Sequence, residues 1–249
     1  MGTLYIVGTP IGNLEDISTR ALHVLRHVHL IAAENPPRTQ RLLARYNIST
    51  PMKRYTDAYD RKKRQRMAAV LAALGEGDVA LVSEAGMPGL ADPGYELIAA
   101  VLEQGTPVVS VPGPTALGAA LSVAGIPAER FIFLGFLPRT RSTRRDLLAP
   151  LVDSPFALVA YEAPHRLLDT LTDIAELFGN RSIAVACELT KLYEEVRWGT
   201  STELLRHFKE QRPRGEFTLV IAGAQPPNLS PARILNVVKG DSVESGNAT

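Results

Sequence analysis

Short, continuous apolar runs alternate with amphipathic stretches along almost the whole chain. The runs at 4–7, 30–33, 79–83 and 108–111 predict strands, and the segments 17–26, 37–46, 59–74 and 95–104 predict helices between them. Because the strands are apolar throughout rather than at alternate positions, they suit a parallel sheet buried on both faces by crossover helices. Beyond "VPGPTA" (111–116) the rhythm changes. A helix at 116–124, a strand at 131–135, a basic loop and helix, a strand at 157–161 and a helix at 165–178 come first. Strands at 183–189 and 195–199, a helix at 202–210 and a strand at 217–222 complete the series. Shorter links and clearer alternation near its end predict that part of this second sheet is antiparallel. The expectation is an α/β fold of two α/β domains, 1–112 with a mainly parallel sheet and 113–224 with a mixed sheet. Pro112 and Pro114, flanking a glycine, mark the boundary. Residues 225–249, rich in polar, Gly and Pro residues, predict a partly disordered tail with a short helix at 232–238.

Composition supports a globular chain: 45% of residues are hydrophobic and 21% charged. The longest apolar runs, 116–123 and 156–161, fall far short of a bilayer span, and the first residues lack a basic leader, which points to the cytoplasm and away from membranes. One cysteine, Cys187, allows no internal disulfide, and its place in an apolar run predicts a buried packing role. The five histidines form no ligand set with nearby acids, so no metal is expected.

Net charge is only +1, yet cations cluster. Between Lys53 and Arg66 seven basic residues (Lys53, Arg54, Arg61, Lys62, Lys63, Arg64 and Arg66) face two acids, Asp57 and Asp60. "PRTRSTRRD" adds Arg139, Arg141, Arg144 and Arg145. Either run alone reads as a solvated helix face; two in a nearly neutral chain favour an anionic partner such as RNA.

Ligands of open α/β sheets bind beyond the carboxyl ends of the strands. Three loops follow predicted strands there: "VGTPIGNLED" (7–16), "VSEAGMPGLADPG" (82–94) and "VPGPTA". Each is rich in Gly and Pro, so bare backbone can approach a ligand, and none carries the lysine of a phosphate loop. Their neutral-to-acidic character suits a polar ligand that is not anionic, or one with a positive centre. In the second half, "YEAPHR" (161–166) and "ELTKLYEEV" (188–196) place polar residues at strand ends, among them His165, Arg166 and Lys191.

Together and in order, "TPIGNLEDIS", "AGMPGLADPG", "VPGPTAL", "YEAPHRLL", "ELTKLYEEV" and "RGEFTLVIAG" resemble the ribosomal RNA small subunit methyltransferase I family, within the tetrapyrrole-methylase-like class. The resemblance implies a homodimer of two α/β domains with S-adenosylmethionine in a cleft between them. It also implies 2′-O-methylation of a cytidine ribose in 16S ribosomal RNA, as naked RNA or within the small subunit. Carried over by position, Pro10, Glu84, Ala85, Gly86, Met87, Pro88, Thr115, Ala116 and Tyr161 face the cofactor. Arg38, Arg61, Lys62, Lys63, Arg139, Arg141, Arg144, Arg145, His165 and Arg166 become candidates to grip RNA. A ribose hydroxyl is a poor nucleophile, and Lys191 and Glu34 are the candidates for handling its proton.

The chain also departs from the family's pattern. "AENPP" (33–37) stands where A-E-D-T-R is usual, with Arg38 one place late, and Glu84 and Met87 replace an Asp and a Thr. Two alternatives stay open: a methyltransferase acting on a small tetrapyrrole, against which the arginine runs argue, and a non-catalytic RNA-binding or ribosome-assembly protein on the same fold.

Overall fold

The computed structural model describes residues 2–56 and 62–224. Arg61, the start of the helix expected at 59–74 and the whole 225–249 tail with its expected helix lie outside the described residues. The chain divides into two compact units, one running to Ala119 and including Leu189–Leu192, the other taking Ala120–Glu188 and continuing from Tyr193.

The first unit contains β1 (Leu4–Val7), α1 (Thr19–His27), β2 (Leu30–Ala33), α2 (Pro36–Arg45), β3 (Met52–Arg54), α3 (Lys63–Glu76), β4 (Val79–Val82), α4 (Tyr95–Glu103), β5 (Val108–Val111) and the start of α5 (Ala116–Val123). Its sheet has the order β3-β2-β4-β1-β5, and every pairing is parallel. Successive side chains of a strand point to opposite faces, which splits the core in two. Val7, Ile31, Ala33, Ala80, Val82 and Val111 pack against Ala21, Val24 and Leu25 of α1 and Leu42 and Leu43 of α2. Leu4, Ile6, Leu30, Ala32, Val79 and Leu81 pack against Val70, Ala73 and Leu74 of α3 and Leu97 and Val101 of α4. Thus the neighbouring strands β1 and β4 lead to helices on opposite faces, and their loops diverge over a crevice at the carboxyl edge, where α/β sheets bind ligands.

Local chemistry fixes the helix starts. The Ser18 hydroxyl accepts the Ala21 N–H at 3.0 Å, so α1 begins two residues later than the pattern predicts. Asn35 caps α2 by accepting the Arg38 N–H at 3.3 Å, and Pro36 and Pro37 occupy the first turn, where a missing N–H is harmless. The sequence missed β3, whose three residues MKR on the sheet edge carry no hydrophobic pattern.

The second unit holds β6 (Phe131–Phe136), α6 (Arg141–Leu148), β7 (Ala157–Glu162), α7 (Leu167–Phe178), β8 (Ser182–Cys187), β9 (Glu195–Thr200), α8 (Ser201–Glu210) and β10 (Phe217–Ile221). Its sheet, β6-β7-β10-β8-β9, is parallel only between β6 and β7 and antiparallel elsewhere, the mixed sheet expected. Leu167, Leu171, Ile174 and Phe178 form one stripe of α7 and meet Leu204 and Phe208 of α8 over the buried strand side chains. The strand expected to reach 189 stops at Cys187, because Glu188 and Thr190 adopt positive φ (50° and 65°) and turn the chain out of the ladder. Cys187 is consequently half-buried rather than buried, with its thiol donating to the Arg214 carbonyl at 3.3 Å.

Candidate functional site

The three Gly/Pro-rich loops of the first unit converge at the carboxyl edge of its sheet. Thr9 and Gly86 exchange backbone hydrogen bonds at 2.9 and 3.0 Å, joining the loop after β1 to the loop after β4. Gly8 and Gly113 join the loops after β1 and β5 by contact. A Cβ on Gly8 would lie 2.7 Å from the Gly113 backbone, and one on Gly113 would lie 2.8 Å from the Gly8 backbone, so only glycine fits either place. The Met87 sulfur lies over Gly8, 2.6 Å from where a Cβ would sit.

Beside this junction lies a pocket of about 520 Å³, within the range of small-molecule sites. Ile11 and Asp16 come from the first loop, Gly113, Pro114 and Thr115 from the third, and Gly118 and Ala119 from the first turns of α5. Thr190 completes the lining. Among the described residues, Asp16 is its one ionisable lining residue, and no lysine or arginine lines it. The Thr115 hydroxyl accepts the Gly118 N–H at 3.0 Å and so fixes the start of α5.

Thr190 belongs to a segment, Leu189–Leu192, that lies with the first unit although its neighbours in sequence belong to the second. Its hydroxyl accepts the Asn13 N–H at 3.0 Å. Gly12 packs directly on the Lys191 stem and the Thr190 hydroxyl, and no side chain at position 12 would leave that contact intact. Lys191 is thereby held one residue from the pocket wall.

Of the cofactor residues nominated from the sequence, Thr115 lines the pocket. Ala116 opens α5 next to it. Pro10, Gly86 and Pro88 are buried in the loop junction, with Ala85 and Met87 half-buried beside them. Tyr161 lies in the second unit at the end of β7, edge-on to the rings of Phe133 and Phe136. Asp16, Ile11 and Thr190 also line the pocket, although no motif in the sequence singles them out as site residues. The one available signal for Asp16 was its place as the last acid of the first strand-end loop. The Thr9 hydroxyl, in that same loop, is buried without a hydrogen-bond partner.

Glu84 takes no part in the lining. Its carboxylate accepts from Arg38 Nη1 at 2.7 Å and Asn35 Nδ2 at 3.1 Å, while its own N–H donates to Glu34 Oε2 at 2.9 Å. Asn35, Arg38 and Glu84 therefore contact one another and tie the loop after β4 to the start of α2. Glu84 and Arg38 remain 43% and 41% exposed, so this pair is worth little to stability and chiefly orients Arg38. Arg54 pairs with Ala33 across β3 and β2, so exposed Lys53 and Arg54 extend the same carboxyl edge with further positive charge.

The remaining RNA candidates divide sharply. Arg144 has a side chain only 3% exposed and binds the buried Asp173 carboxylate through Nε at 2.7 Å and Nη2 at 2.6 Å. It cannot reach a phosphate, a correction to the expectation for the 139–145 run. Arg141 and Arg145 bind both Asp173 and Glu176, so these two carboxylates offset about half of the charge of the four arginines in that run. Burial pushes Asp173 up, but hydrogen bonds from Arg144, Arg141 and Arg145 outweigh it and hold the carboxyl below its ordinary value. Arg166 is likewise committed, to Glu162 at 2.5 Å and to the Leu137 carbonyl at 2.6 Å, because Glu162 is buried and needs a counter-charge. Lys63 pairs with Glu96 at 2.6 Å. Lys62, Arg139 and His165 are exposed.

Comparison with known proteins agrees with this architecture. The family described as tetrapyrrole (corrin/porphyrin) methylases matches residues 3–205. The chain is 46% identical over 226 residues to the ribosomal RNA small subunit methyltransferase I of Thermotoga maritima, covering 90% of this chain and 100% of that one. It is 45% identical over 226 residues to the protein of the same name from Escherichia coli O157:H7, covering 89% and 78%. Among solved structures, a cobalt precorrin-4 methyltransferase aligns with a TM-score of 0.66 at 17% identity, over 90% of this chain and 96% of that one. A Thermus thermophilus uroporphyrin-III C-methyltransferase complexed with S-adenosylhomocysteine aligns with a TM-score of 0.62 at 19% identity, over 88% and 97%. The solved structures share the fold, whereas the curated relatives share nearly half their residues across nine-tenths of the chain. The chain belongs to the ribosomal RNA small subunit methyltransferase I family, within the tetrapyrrole methylases.

Proposed function

We propose that this protein is an S-adenosylmethionine-dependent methyltransferase that methylates the 2′-hydroxyl of a cytidine in 16S ribosomal RNA, acting in the cytoplasm as a homodimer. The observation that carries the reading is the pocket of the first unit: glycine-rich backbone, a carboxylate and, among the described residues, no cation, at the carboxyl edge of a parallel sheet. That chemistry fits a ligand with a positive centre and no phosphate. The backbone of Gly113 and Pro114 can approach it closely, Ile11 and Ala119 supply apolar walls, and the Thr115 and Thr190 hydroxyls supply hydrogen bonds. When bound, S-adenosylmethionine supplies an electrophilic methyl group.

The protein's part is to position the ribose and manage its proton. Lys191 is the favoured group, since it follows the pocket residue Thr190, and its ammonium would stabilise the oxygen as the hydroxyl loses its proton. Glu34 is less suited, because its Oε2 already accepts the Glu84 N–H and so holds the loop after β4. Gripping RNA phosphates falls to Lys53, Arg54 and the Glu84-oriented Arg38 along the carboxyl edge, with Lys62, Arg139 and His165 as further exposed contacts. The greater identity to proteins named for ribosomal RNA than to the tetrapyrrole enzymes supports RNA over a small tetrapyrrole as substrate. A second copy is supported by edge strand β6, which leaves Phe131 and Phe136 exposed.

The experiment is incubation of the purified chain with methyl-labelled S-adenosylmethionine and unmodified small subunits or 16S RNA, followed by nucleoside analysis. Label in 2′-O-methylcytidine is the expected result. Label on a base, or none with either substrate, refutes the assignment.

A further inference from the structure

Among the described residues, Asp16 is the one ionisable residue lining the pocket, and its carboxylate has neither a hydrogen-bond donor nor a cation paired with it. It is nevertheless held in place. It ends a 3-10 turn, Leu14–Asp16, whose first residue is preceded by the capping Asn13 side chain, an acceptor for the Glu15 N–H at 3.1 Å. The Asp16 N–H donates to the Asn13 carbonyl at 3.1 Å. Asn13 is in turn fixed by Thr190 at 3.0 Å, and the Leu14 carbonyl accepts the Tyr46 hydroxyl at 2.7 Å. The adjacent Ile17 is buried in the core beneath α1. Asp16 is exposed, and these contacts hold its backbone, and with it the origin of the side chain, at the pocket wall.

We infer that Asp16 is a specificity residue that distinguishes the sulfonium donor from its demethylated product. The inference rests on the cofactor reading proposed above. S-adenosylmethionine and S-adenosylhomocysteine share adenosine, amino and carboxylate groups and differ by one methyl and one positive charge. In the transfer the oxygen–carbon bond forms as the carbon–sulfur bond breaks, its electron pair stays on sulfur, and the hydroxyl proton passes from the oxygen to solvent water. Sulfur thus becomes neutral. A carboxylate on the pocket wall attracts the charged sulfur and has no such hold on the neutral one, so it favours donor entry and product release. A hydroxyl or amide at position 16 could hydrogen-bond both molecules but could not separate them by charge.

Calorimetric titration of the full chain and of Asp16→Asn with both molecules tests this at low and moderate salt. At a charge separation of about 4 Å in a water-like environment, removing the carboxylate's charge is expected to lower affinity for S-adenosylmethionine by about fivefold, with the difference shrinking as salt rises. Affinity for S-adenosylhomocysteine is expected to stay within about twofold, which also reports that the variant is folded. Asp16→Glu should restore most of the discrimination. Equal losses for both molecules would place Asp16 on their shared groups and overturn the inference, as would no change for either. If the unaltered chain binds neither molecule, the cofactor reading itself fails first; if it binds both and the ratio ignores position 16, only the present inference fails.

Discussion

Replacing Asp173 by asparagine separates a structural from an RNA-binding role for the arginine run. The Asp173 side chain is buried and receives Arg141 Nε at 2.9 Å, Arg144 Nε at 2.7 Å and Arg145 Nη1 at 3.4 Å. Without its charge, Arg141 and Arg145 retain Glu176, but Arg144 remains buried opposite an amide that can satisfy it only partly. Breaking a buried pair this way costs about 3–5 kcal/mol, a large part of a total that is about 5–15 kcal/mol for a typical domain. Trp198, the chain's one tryptophan, lies on β9, so its fluorescence follows unfolding of the second unit directly. At a urea m-value of about 3 kcal/mol/M the midpoint should fall by about 1 M or more. A fall below about 0.3 M, the behaviour of an exposed pair, would refute the reasoning. The pH dependence has a definite sign. Because the native Asp173 carboxyl is held below its unfolded value, its stabilisation is complete above that unfolded value and is lost as pH falls through the native one. The gap between the two proteins should therefore be constant near neutrality and close only in acid. Asp173→Leu combined with Arg144→Met should recover much of the loss, since an apolar pair avoids burying charge.

Two other outcomes follow from the first unit. Lys53→Ala with Arg54→Ala should weaken RNA binding and reduce the slope of log affinity against log salt by about 1.4 for a single-stranded target, measured by filter binding; an unaltered slope would remove this edge from the RNA interface. Gly113→Ala, whose new Cβ would meet the Gly8 backbone at 2.8 Å, should lower cofactor affinity by about tenfold or more while leaving Trp198-detected unfolding unchanged. Unchanged affinity in calorimetry would show that the junction of these loops does not shape the site.

The sequence by itself determined the fold class and the family. Four-residue apolar strands such as LIAA and VALV, separated by helix-length amphipathic segments, leave few arrangements besides a parallel sheet covered on both faces, because each strand has two apolar faces to bury. The strand-end loops were legible for a related reason: Gly and Pro declare backbone geometry locally, without reference to distant partners. Charge is different. Arg139 and Arg144 look alike in "PRTRSTRRD", yet one is exposed and the other buried, because what decides is whether α7 brings Asp173 alongside. The same holds for Glu84, whose meeting with Arg38 and Asn35 joins two segments far apart in the chain, and for Asp16, ordinary in sequence until folding sets Gly113, Thr115 and Thr190 around it. Apolar burial follows from a residue's own pattern, but an ionic group's role depends on which partner lies within a few ångströms, and only the tertiary structure fixes that distance.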